Sequence, residues 1–433
     1  MENNKKSYLL PIAMMFALFF MIAFVTGLQN PMGVIIKSQF AASNFVSQLG
    51  NLANFIAYAF MGIPAGLLLS KIGYKKTALA AIAVGFVGVG VTFLSGLMGN
   101  AEAGATNNTG IFVVYLAGAL ISGFSMCMLN TVVNPMLNTL GGGGNRGNQL
   151  IQFGGSCNSI GATIVPVLVG YLIGDVSKAS ISDANPALFI AMGIFALAFI
   201  VLGSMQIPEP YIAEKKESAV KDKYSAWNFR HFILGVVAIF IYVGVEVGIP
   251  NIVNLFMTNE LGIATAEAGT IVGTYWFLML VGRLLGGSVA AKVSSRKMLS
   301  AVSVLGLVFV LVAILSPLSA KVMMPVFKSD ISFGYVQVPI SIMFFVLCGL
   351  CTSVMWGGIF NLAVEGLGKY TAAASGIFMM MVCGGGILPA IQGWIADMTS
   401  FISSFWLIFA GMLYFLFYAL VGSKNVNKNI PVE

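Results

Sequence analysis

The sequence is built from twelve long apolar runs that alternate with short polar stretches. The runs lie near residues 8–36, 45–70, 77–98, 111–138, 149–174, 187–206, 231–257, 268–292, 299–316, 338–364, 371–397 and 401–421. Each is long enough for a helix to cross the hydrocarbon core of a bilayer, which takes about 20 residues. Charged residues make up only 9% of the chain, far below the level in soluble domains. We therefore predict an all-α membrane protein with twelve transmembrane helices, and exclude water-soluble enzymes and disulfide scaffolds.

One polar stretch, residues 208–230, is much longer than the others and divides the runs into two groups of six. We predict a six-helix bundle over 1–207, a cytoplasmic linker over 208–230 and a second bundle over 231–433. The groups repeat at a constant shift of 223 residues, which relates Gly161, Pro166 and Gly170 to Gly384, Pro389 and Gly393. An even-numbered repeat gives pseudo-symmetric bundles of the same orientation, with a binding site expected between them near the membrane midplane.

The basic residues are distributed unevenly among the polar stretches. If both termini are cytoplasmic, 17 of the 22 Lys and Arg residues face the cytoplasm and four face outward. Cytoplasmic loops of membrane proteins carry such an excess of positive charge, so both termini are predicted to be cytoplasmic. The net charge of +7 thus reflects orientation in a lipid bilayer, and no nucleic-acid partner is expected.

The motifs of enzymes and primary pumps are missing from the sequence. There is no G-x-x-x-x-G-K-[ST] nucleotide loop, no G-x-S-x-G nucleophile motif, and only one histidine, His231. Cys348 and Cys351 form C-x-x-C, but no second pair or nearby histidine completes a metal site. Small residues at helix contacts are the better interpretation of these cysteines. We predict that the chain is not an enzyme and binds neither a cofactor nor a metal.

Glu246 is the strongest single indication of function. It lies near the middle of the seventh run, with no Lys or Arg within a helical turn. A carboxylate at that depth costs about 2.5–3.5 kcal/mol on insertion scales, so a functional role is the default expectation. Burial favours its protonated form, and Pro250 leaves the Glu246 carbonyl without its helical donor. We predict that Glu246 binds the coupling proton or cation; the alternative is a protonated side chain that only packs against a neighbouring helix.

Neutral amides form a second polar group within the spans. Asn130 and Asn134 lie on one face of the fourth run, and Gln152 and Asn158 lie in the fifth. Amides both donate and accept hydrogen bonds, as a polyhydroxylated sugar requires. The other predicted substrate-binding residues are Gln29, Asn30, Asn251, Asn254, Trp276 and Trp356. The alternatives are hydrogen bonds between helices for the amides and ordinary packing for the tryptophans.

Four basic residues near span ends are predicted to act in gating. Arg283, near the cytoplasmic end of the eighth run, can bond to helix C-terminal carbonyls or to an acidic residue across the bundle. Lys292 and Arg296 follow that run, and Lys71 follows the second run at the equivalent position. The pattern indicates a gating element and not a ligand site.

Several stretches resemble those of known transporters. The segment from Gly62 to Lys76 resembles the helix 2–3 signature of the major facilitator superfamily, with Ser70 where many members have Asp. Over nearly its full length the chain is similar to the fucose–galactose–glucose:proton symporter family. The stretches that carry this resemblance are 24–31, 130–135, 239–247, 281–286, 359–369, 384–389 and 393–397.

This resemblance implies a major facilitator fold that imports a neutral hexose across a bacterial inner membrane together with a proton or a sodium ion. Fucose-type members carry an Asp and a Glu where this chain has Asn30 and Asn130. The glucose/galactose-type branch lacks both and has the acid equivalent to Glu246, so the resemblance points to that branch. The alternatives are an uncoupled or sodium-coupled carrier of an amino sugar, fucose or a short oligosaccharide, and a membrane sugar sensor that does not transport.

Overall fold

The structure, a computed structural model, describes residues 8–28, 31–32, 35–36, 39–40, 46, 49–98, 109–173, 179–209, 224–328, 330, 332–427 and 429–432. The first helices are α1 (Leu9–Gly27), α2 (Leu49–Met98), α3 (Thr109–Leu140), α4 (Gly144–Ile173) and α5 (Asn185–Ser204). They are followed by α6 (Arg230–Asn259), α7 (Thr265–Ala290), α8 (Ser295–Leu315), α9 (Ile340–Thr352), α10 (Met355–Val364), α11 (Thr371–Met380), α12 (Gly384–Met398) and α13 (Phe401–Phe417). Two strands, β1 (Lys321–Phe327) and β2 (Phe333–Pro339), lie between α8 and α9.

The helices account for all twelve predicted spans. Within the described residues, ten segments are long and apolar enough to cross a membrane. One of them, α2, has 50 residues and is therefore about 75 Å long, enough to cross a core of about 30 Å twice. Gly73 breaks α2 between the predicted second and third spans with a φ of 84°, a value that favours glycine. The fifth span is α4, and the predicted fold class is confirmed.

Two of the spans are interrupted helices. The tenth consists of α9 and α10, joined at Ser353 and Val354, and the eleventh consists of α11 and α12, joined by the 3₁₀ turn Met381–Cys383. Broken helices inside a membrane leave main-chain carbonyls that other groups of the protein must satisfy. The break at Ser353 and Val354 therefore offers acceptors to side chains from neighbouring helices.

The chain divides into two compact units. The first unit comprises Met1–Gly143, Ile160–Lys221 and Gly368–Met380, and the second comprises Gly144–Ser159, Asp222–Leu367 and Met381–Glu433. The first part of α4 thus belongs to the second unit, and α11 belongs to the first. The predicted bundles over 1–207 and 231–433 and the linker between them remain predictions; residues 210–223 of that linker lie outside the described residues.

Each unit has its own helix contacts. In the first unit, α2 lies along α3 and also contacts α5 and α11. Glycines permit the last of these contacts, because a Cβ atom at Gly62 would lie 2.6 Å from the main-chain oxygen of Gly376. In the second unit, α6 contacts α7, α9, α10, α12 and α13. The predicted coupling residue Glu246 therefore lies on the most centrally placed helix of its unit.

The hairpin of β1 and β2 was not predicted from the sequence. Its strands pair antiparallel from Lys321 opposite Pro339 to Phe327 opposite Phe333. The Phe327 amide donates to the Thr274 hydroxyl at 3.0 Å, and its ring stacks on Phe277 at a centroid distance of 4.3 Å. The hairpin is thereby fixed to α7.

Candidate functional site

An ion pair lies inside the second unit. Arg283 of α7 donates from Nη2 to Oε1 of Glu246 on α6 at 3.1 Å. The two side chains are only 10% and 14% exposed. The sequence placed no basic residue within a turn of Glu246 because its partner comes from the next helix. Burial makes such a pair sensitive to the loss of either charge, since the remaining ion has no water to replace its partner.

Arg283 also joins α7 to two other parts of the second unit. Its Nη1 donates to the carbonyl of Gly155 at 3.0 Å and to the hydroxyl of Ser159 at 2.6 Å, both on α4. Its Nε donates to the carbonyl of Ser353, at the break between α9 and α10, at 3.4 Å. A guanidinium can satisfy several acceptors in one plane, and here it holds a carboxylate and two helices together. The sequence offered helix C-terminal carbonyls or an acid across the bundle as partners of Arg283; in the structure it bonds to carbonyls of α4 and of the break after α9, and to an acid on the neighbouring helix.

The carbonyl that Pro250 frees has a partner in the structure. Tyr275 of α7 donates its hydroxyl to the Glu246 carbonyl at 3.1 Å and also shares a hydrogen bond of 3.1 Å with the Thr352 hydroxyl. This carbonyl is therefore not open to a sugar or a cation in the arrangement seen here. Tyr275 was not among the predicted site residues, although a tyrosine in the middle of an apolar run is a signal, because its hydroxyl needs a partner.

The amides of α3 form a neutral cluster in the first unit. Asn130 donates from Nδ2 to the Tyr58 hydroxyl at 3.0 Å and to the Met126 carbonyl at 3.2 Å. Asn134 donates to the Asn130 carbonyl at 2.9 Å. Asn130 is 8% exposed and Asn134 is fully buried. Of the two side chains, only that of Asn130 is partly accessible to a substrate. Tyr58 also belongs to this cluster, and the sequence analysis did not identify it.

The two predicted residues of α4 belong to the second unit. Gln152 is buried and donates to the carbonyl of Val354 at 2.8 Å, at the break between α9 and α10. It also donates to Asn148 Oδ1 at 3.4 Å. Asn158 is half-buried, one residue before the Arg283 partner Ser159. Gln152 thus occupies a helix contact, which is the alternative considered for it, and it bonds to the Val354 carbonyl while Arg283 of α7 bonds to the Ser353 carbonyl.

Of the remaining predicted substrate-binding residues, Trp276, Trp356, Asn251 and Asn254 lie in the second unit. Trp276 meets Tyr275 edge to face at 5.3 Å, and Trp356 of α10 lies 6.2 Å from the ring of Tyr242, one turn before Glu246. Asn251 and Asn254 follow Glu246 on α6; the first is exposed and the second is half-buried. Gln29 and Asn30 lie outside the described residues. The tryptophans therefore adjoin the ion pair through two tyrosines.

The other basic residues do not contact the ion pair. Lys71 and Lys292 are exposed. Arg296 donates to the hydroxyl and the carbonyl of Ser423 at 3.2 and 3.5 Å. Arg296 thus ties the start of α8 to the turn after α13, and of the four predicted gating residues Arg283 alone reaches the candidate site.

No cluster of His, Cys, Asp and Glu that could hold a metal occurs in the part of the chain that the structure describes. All five cysteines are free, including Cys348 and Cys351 on α9. Each unit therefore has a candidate group of its own: the Glu246–Arg283 pair with its tyrosines in the second unit, and the Asn130 cluster in the first.

Twelve apolar spans with a buried ion pair and intramembrane amides define a polytopic membrane transporter. The sequence model of the Major Facilitator Superfamily matches residues 15–388, and the chain belongs to this superfamily. It is a transport protein by fold, as predicted, and not an enzyme.

Relatives and solved structures agree with the predicted resemblance. The chain is 27% identical over 430 residues to a glucose/galactose transporter of Brucella abortus, covering 98% of this chain and 96% of that protein. It is 23% identical to the L-fucose-proton symporter of Escherichia coli, covering 91% and 89%. The crystal structure of the Escherichia coli fucose:proton symporter FucP superposes with a TM-score of 0.77 at 19% identity, covering 97% and 100%. The proton:xylose symporter XylE gives 0.67 at 14% identity, covering 97% of each chain.

Proposed function

We propose that this chain is a sugar transporter that imports a neutral hexose of the glucose or galactose type by proton symport. The observation that carries the proposal is the buried Glu246–Arg283 pair, whose charge can be changed by one proton. Its similarity to a glucose/galactose transporter and to a fucose–proton symporter supports the substrate class. The neutral amides of the first unit suit sugar hydroxyls, because they both donate and accept hydrogen bonds.

The proton acts on the contact between α4 and α7. While Glu246 is ionised, it neutralises Arg283, and the guanidinium stays bonded to Gly155 and Ser159. A proton on Glu246 removes this counter-charge and leaves a buried cation, which is costly. Arg283 then changes partners, and the contact of α7 with α4 is weakened with it. Proton binding is thereby linked to movement of a helix.

Proton binding needs an ionisable group, whereas the hydroxyls of a neutral sugar need hydrogen-bonding partners without a net charge. Asn130 is the amide best suited to this, because it retains some exposure and is oriented by Tyr58 and by its own helix. Trp276 and Trp356 offer ring surfaces near the ion pair for stacking on a sugar. We assign substrate binding to these residues and coupling to Glu246.

The decisive experiment is uptake of labelled glucose and galactose into sealed vesicles that contain the purified protein. An inward proton gradient is imposed in the absence of sodium. We expect accumulation above the external concentration and its collapse on addition of an uncoupler. Accumulation only in the presence of sodium would identify sodium as the coupling ion. Equilibration of the sugar without accumulation would identify an uncoupled carrier.

A sensor that does not transport is separated from these outcomes by counterflow. Vesicles preloaded with unlabelled sugar take up labelled sugar if the protein is a carrier, whatever its coupling ion. Saturable binding of glucose without counterflow would contradict the proposal of transport. If neither glucose nor galactose gives counterflow but an amino sugar or fucose does, the protein is still a carrier and its substrate is that other sugar.

The proposed setting is a bacterial inner membrane with both termini in the cytoplasm. The excess of basic residues in the polar stretches assigned to that side supports this orientation. Single cysteines introduced at the exposed positions Lys292 and Asp330 test it with a membrane-impermeant thiol reagent. In intact cells Asp330→Cys should react and Lys292→Cys should not; the reverse pattern would invert the topology.

A further inference from the structure

A cavity of about 310 Å³ lies in the second unit between α6, α12 and α13. Its lining includes the apolar side chains Ile241, Val245, Leu388, Leu407 and Ile408 and one buried amide, Gln392. In the first unit, a cavity of about 10 Å³ lies between α4, α5 and residues that follow α1. The repeat shift of 223 residues puts Val169, a lining residue of that small cavity, where the second half has Gln392. The amide that lines the larger cavity is thus replaced by an apolar side chain in the first half.

Gln392 is fully buried, and neither its Oε1 nor its Nε2 meets a hydrogen-bonding partner among the described residues. A glycine makes its position possible, because a Cβ atom at Gly248 would lie 2.7 Å from Gln392 Oε1. A buried amide that lacks both partners is destabilising. The amide lies beside the cavity with both polar atoms covered, so a ligand in the cavity that has a donor and an acceptor completes both hydrogen bonds once the Gln392 side chain turns toward it.

The cavity is separate from the proposed transport site. Its α6 residues 241, 244 and 245 share one helix face, and at about 3.6 residues per turn Glu246 lies on the other side. Ala410, which lines the cavity, is exposed, and Ile391 and Trp394 on the lining helix α12 are 39% and 64% exposed. Exposed apolar residues of a membrane span face hydrocarbon, so the cavity is reached from the bilayer.

We propose that this cavity binds the head and first carbons of a protonated long-chain fatty acid taken from the bilayer. The acid O–H donates to Gln392 Oε1 while Gln392 Nε2 donates to the acid carbonyl, so one carboxyl group satisfies both ends of the amide. Apolar surroundings keep a carboxylic acid neutral. The cavity is large enough to hold the head and first carbons of one acyl chain.

The test is photolabelling of the full-length protein in vesicles of phosphatidylethanolamine and phosphatidylglycerol. The probe is a palmitic acid analogue with a diazirine in its chain, and labelled peptides are located by mass spectrometry. We expect saturable labelling of α12 and α13, displaced by palmitic acid and much less by methyl palmitate, which has no O–H. Gln392→Leu should weaken saturable labelling by about three- to tenfold, the effect of losing the hydrogen bonds.

Two further variants complete the experiment. Ala410→Phe fills the exposed side of the cavity and should also weaken labelling, whereas Gln337→Leu, an exposed glutamine on β2, should leave it unchanged. Thermal unfolding in detergent shows that the variants are folded. Palmitic acid should raise the unfolding temperature of the wild type and of Gln337→Leu, and not that of Gln392→Leu.

Labelling spread evenly over lipid-facing helices, or insensitive to both palmitic acid and Gln392→Leu, would overturn the proposal and leave water as the partner of the amide. Equal competition by methyl palmitate would also overturn it, because the acid proton would then have no role. None of these readouts depends on the sugar or the coupling ion, so they stand apart from the transport assay.

Discussion

Equivalent positions of the two halves carry opposite chemistry. Glu246 aligns with Thr26 at a shift of 220 residues, and Arg283 aligns with Gly62 at a shift of 221. Thr26 bonds only to carbonyls of its own helix, Ile22 at 3.0 Å and Ala23 at 3.3 Å. Gly62 has no side chain and brings α2 against the main chain of α11. One half thus uses close backbone contact where the other uses a buried ion pair.

This difference separates a contact that a proton can change from one that it cannot. Close glycine contacts depend on shape and are insensitive to pH, whereas the ion pair depends on the charge of one carboxylate. The proposed coupling therefore resides in the second half. Each of the following experiments removes one side of the comparison, and the expected effects decrease from first to last.

Glu246→Gln should abolish accumulation of sugar against its gradient. The amide keeps the size of the side chain but cannot bind or release a proton, so counterflow should remain while the proton gradient loses its effect. The measurement is gradient-driven uptake beside counterflow in the same vesicles. Glu260→Gln, on the exposed residue that follows α6, is the matched control. Full accumulation by Glu246→Gln would remove this residue from coupling.

Arg283→Met should destabilise the protein by about 3–5 kcal/mol, because it leaves a buried carboxylate without its partner. The double variant Glu246→Gln, Arg283→Met should recover part of that loss. Thermal or denaturant unfolding of the four proteins in one detergent gives the coupling between the two positions. Strictly additive effects would mean that the pair observed at 3.1 Å contributes nothing to stability.

Gly62→Ala should destabilise the first unit by about 1–3 kcal/mol, because the new methyl group would overlap main-chain atoms of α11. Its Cβ would lie 2.6 Å from Gly376 O and from Met380 Cα. Gly90→Ala in the same helix is the control, since its Cβ would have Met192 Cε at 3.8 Å as its neighbour. Equal unfolding temperatures for the two variants would show that the close contact is unimportant.

Asn130→Ala should raise the KM for sugar by about three- to tenfold, the range expected for one lost hydrogen bond of a neutral group. The proton dependence of uptake should stay as in the wild type. Tyr58→Phe removes the hydroxyl that accepts from Asn130 and should give a smaller change in the same direction. An unchanged KM for Asn130→Ala would exclude it from the substrate site.

The spans and the fold class were predictable because hydrocarbon demands long apolar helices, and such runs are visible in any sequence. Glu246 was predictable for the converse reason, since a carboxylate in such a run is costly. The partners of these groups were not, because Arg283 and Tyr275 approach Glu246 only after α6 and α7 pack. Gln392 was missed because a single amide in an apolar run gives no sign of a cavity. The hairpin was missed because its 7-residue strands are short and lie in the connection between two predicted spans.

That hairpin has a practical consequence. Seven residue pairs hold its register, and Phe327, the strand residue next to the tip, is fixed to α7 by a hydrogen bond to Thr274. The tip includes the exposed Asp330, and exposed loop tips are the places where added sequence is best tolerated. A short peptide tag or a fluorophore attached there would report the position of this end of α7 during turnover, without altering a transmembrane residue.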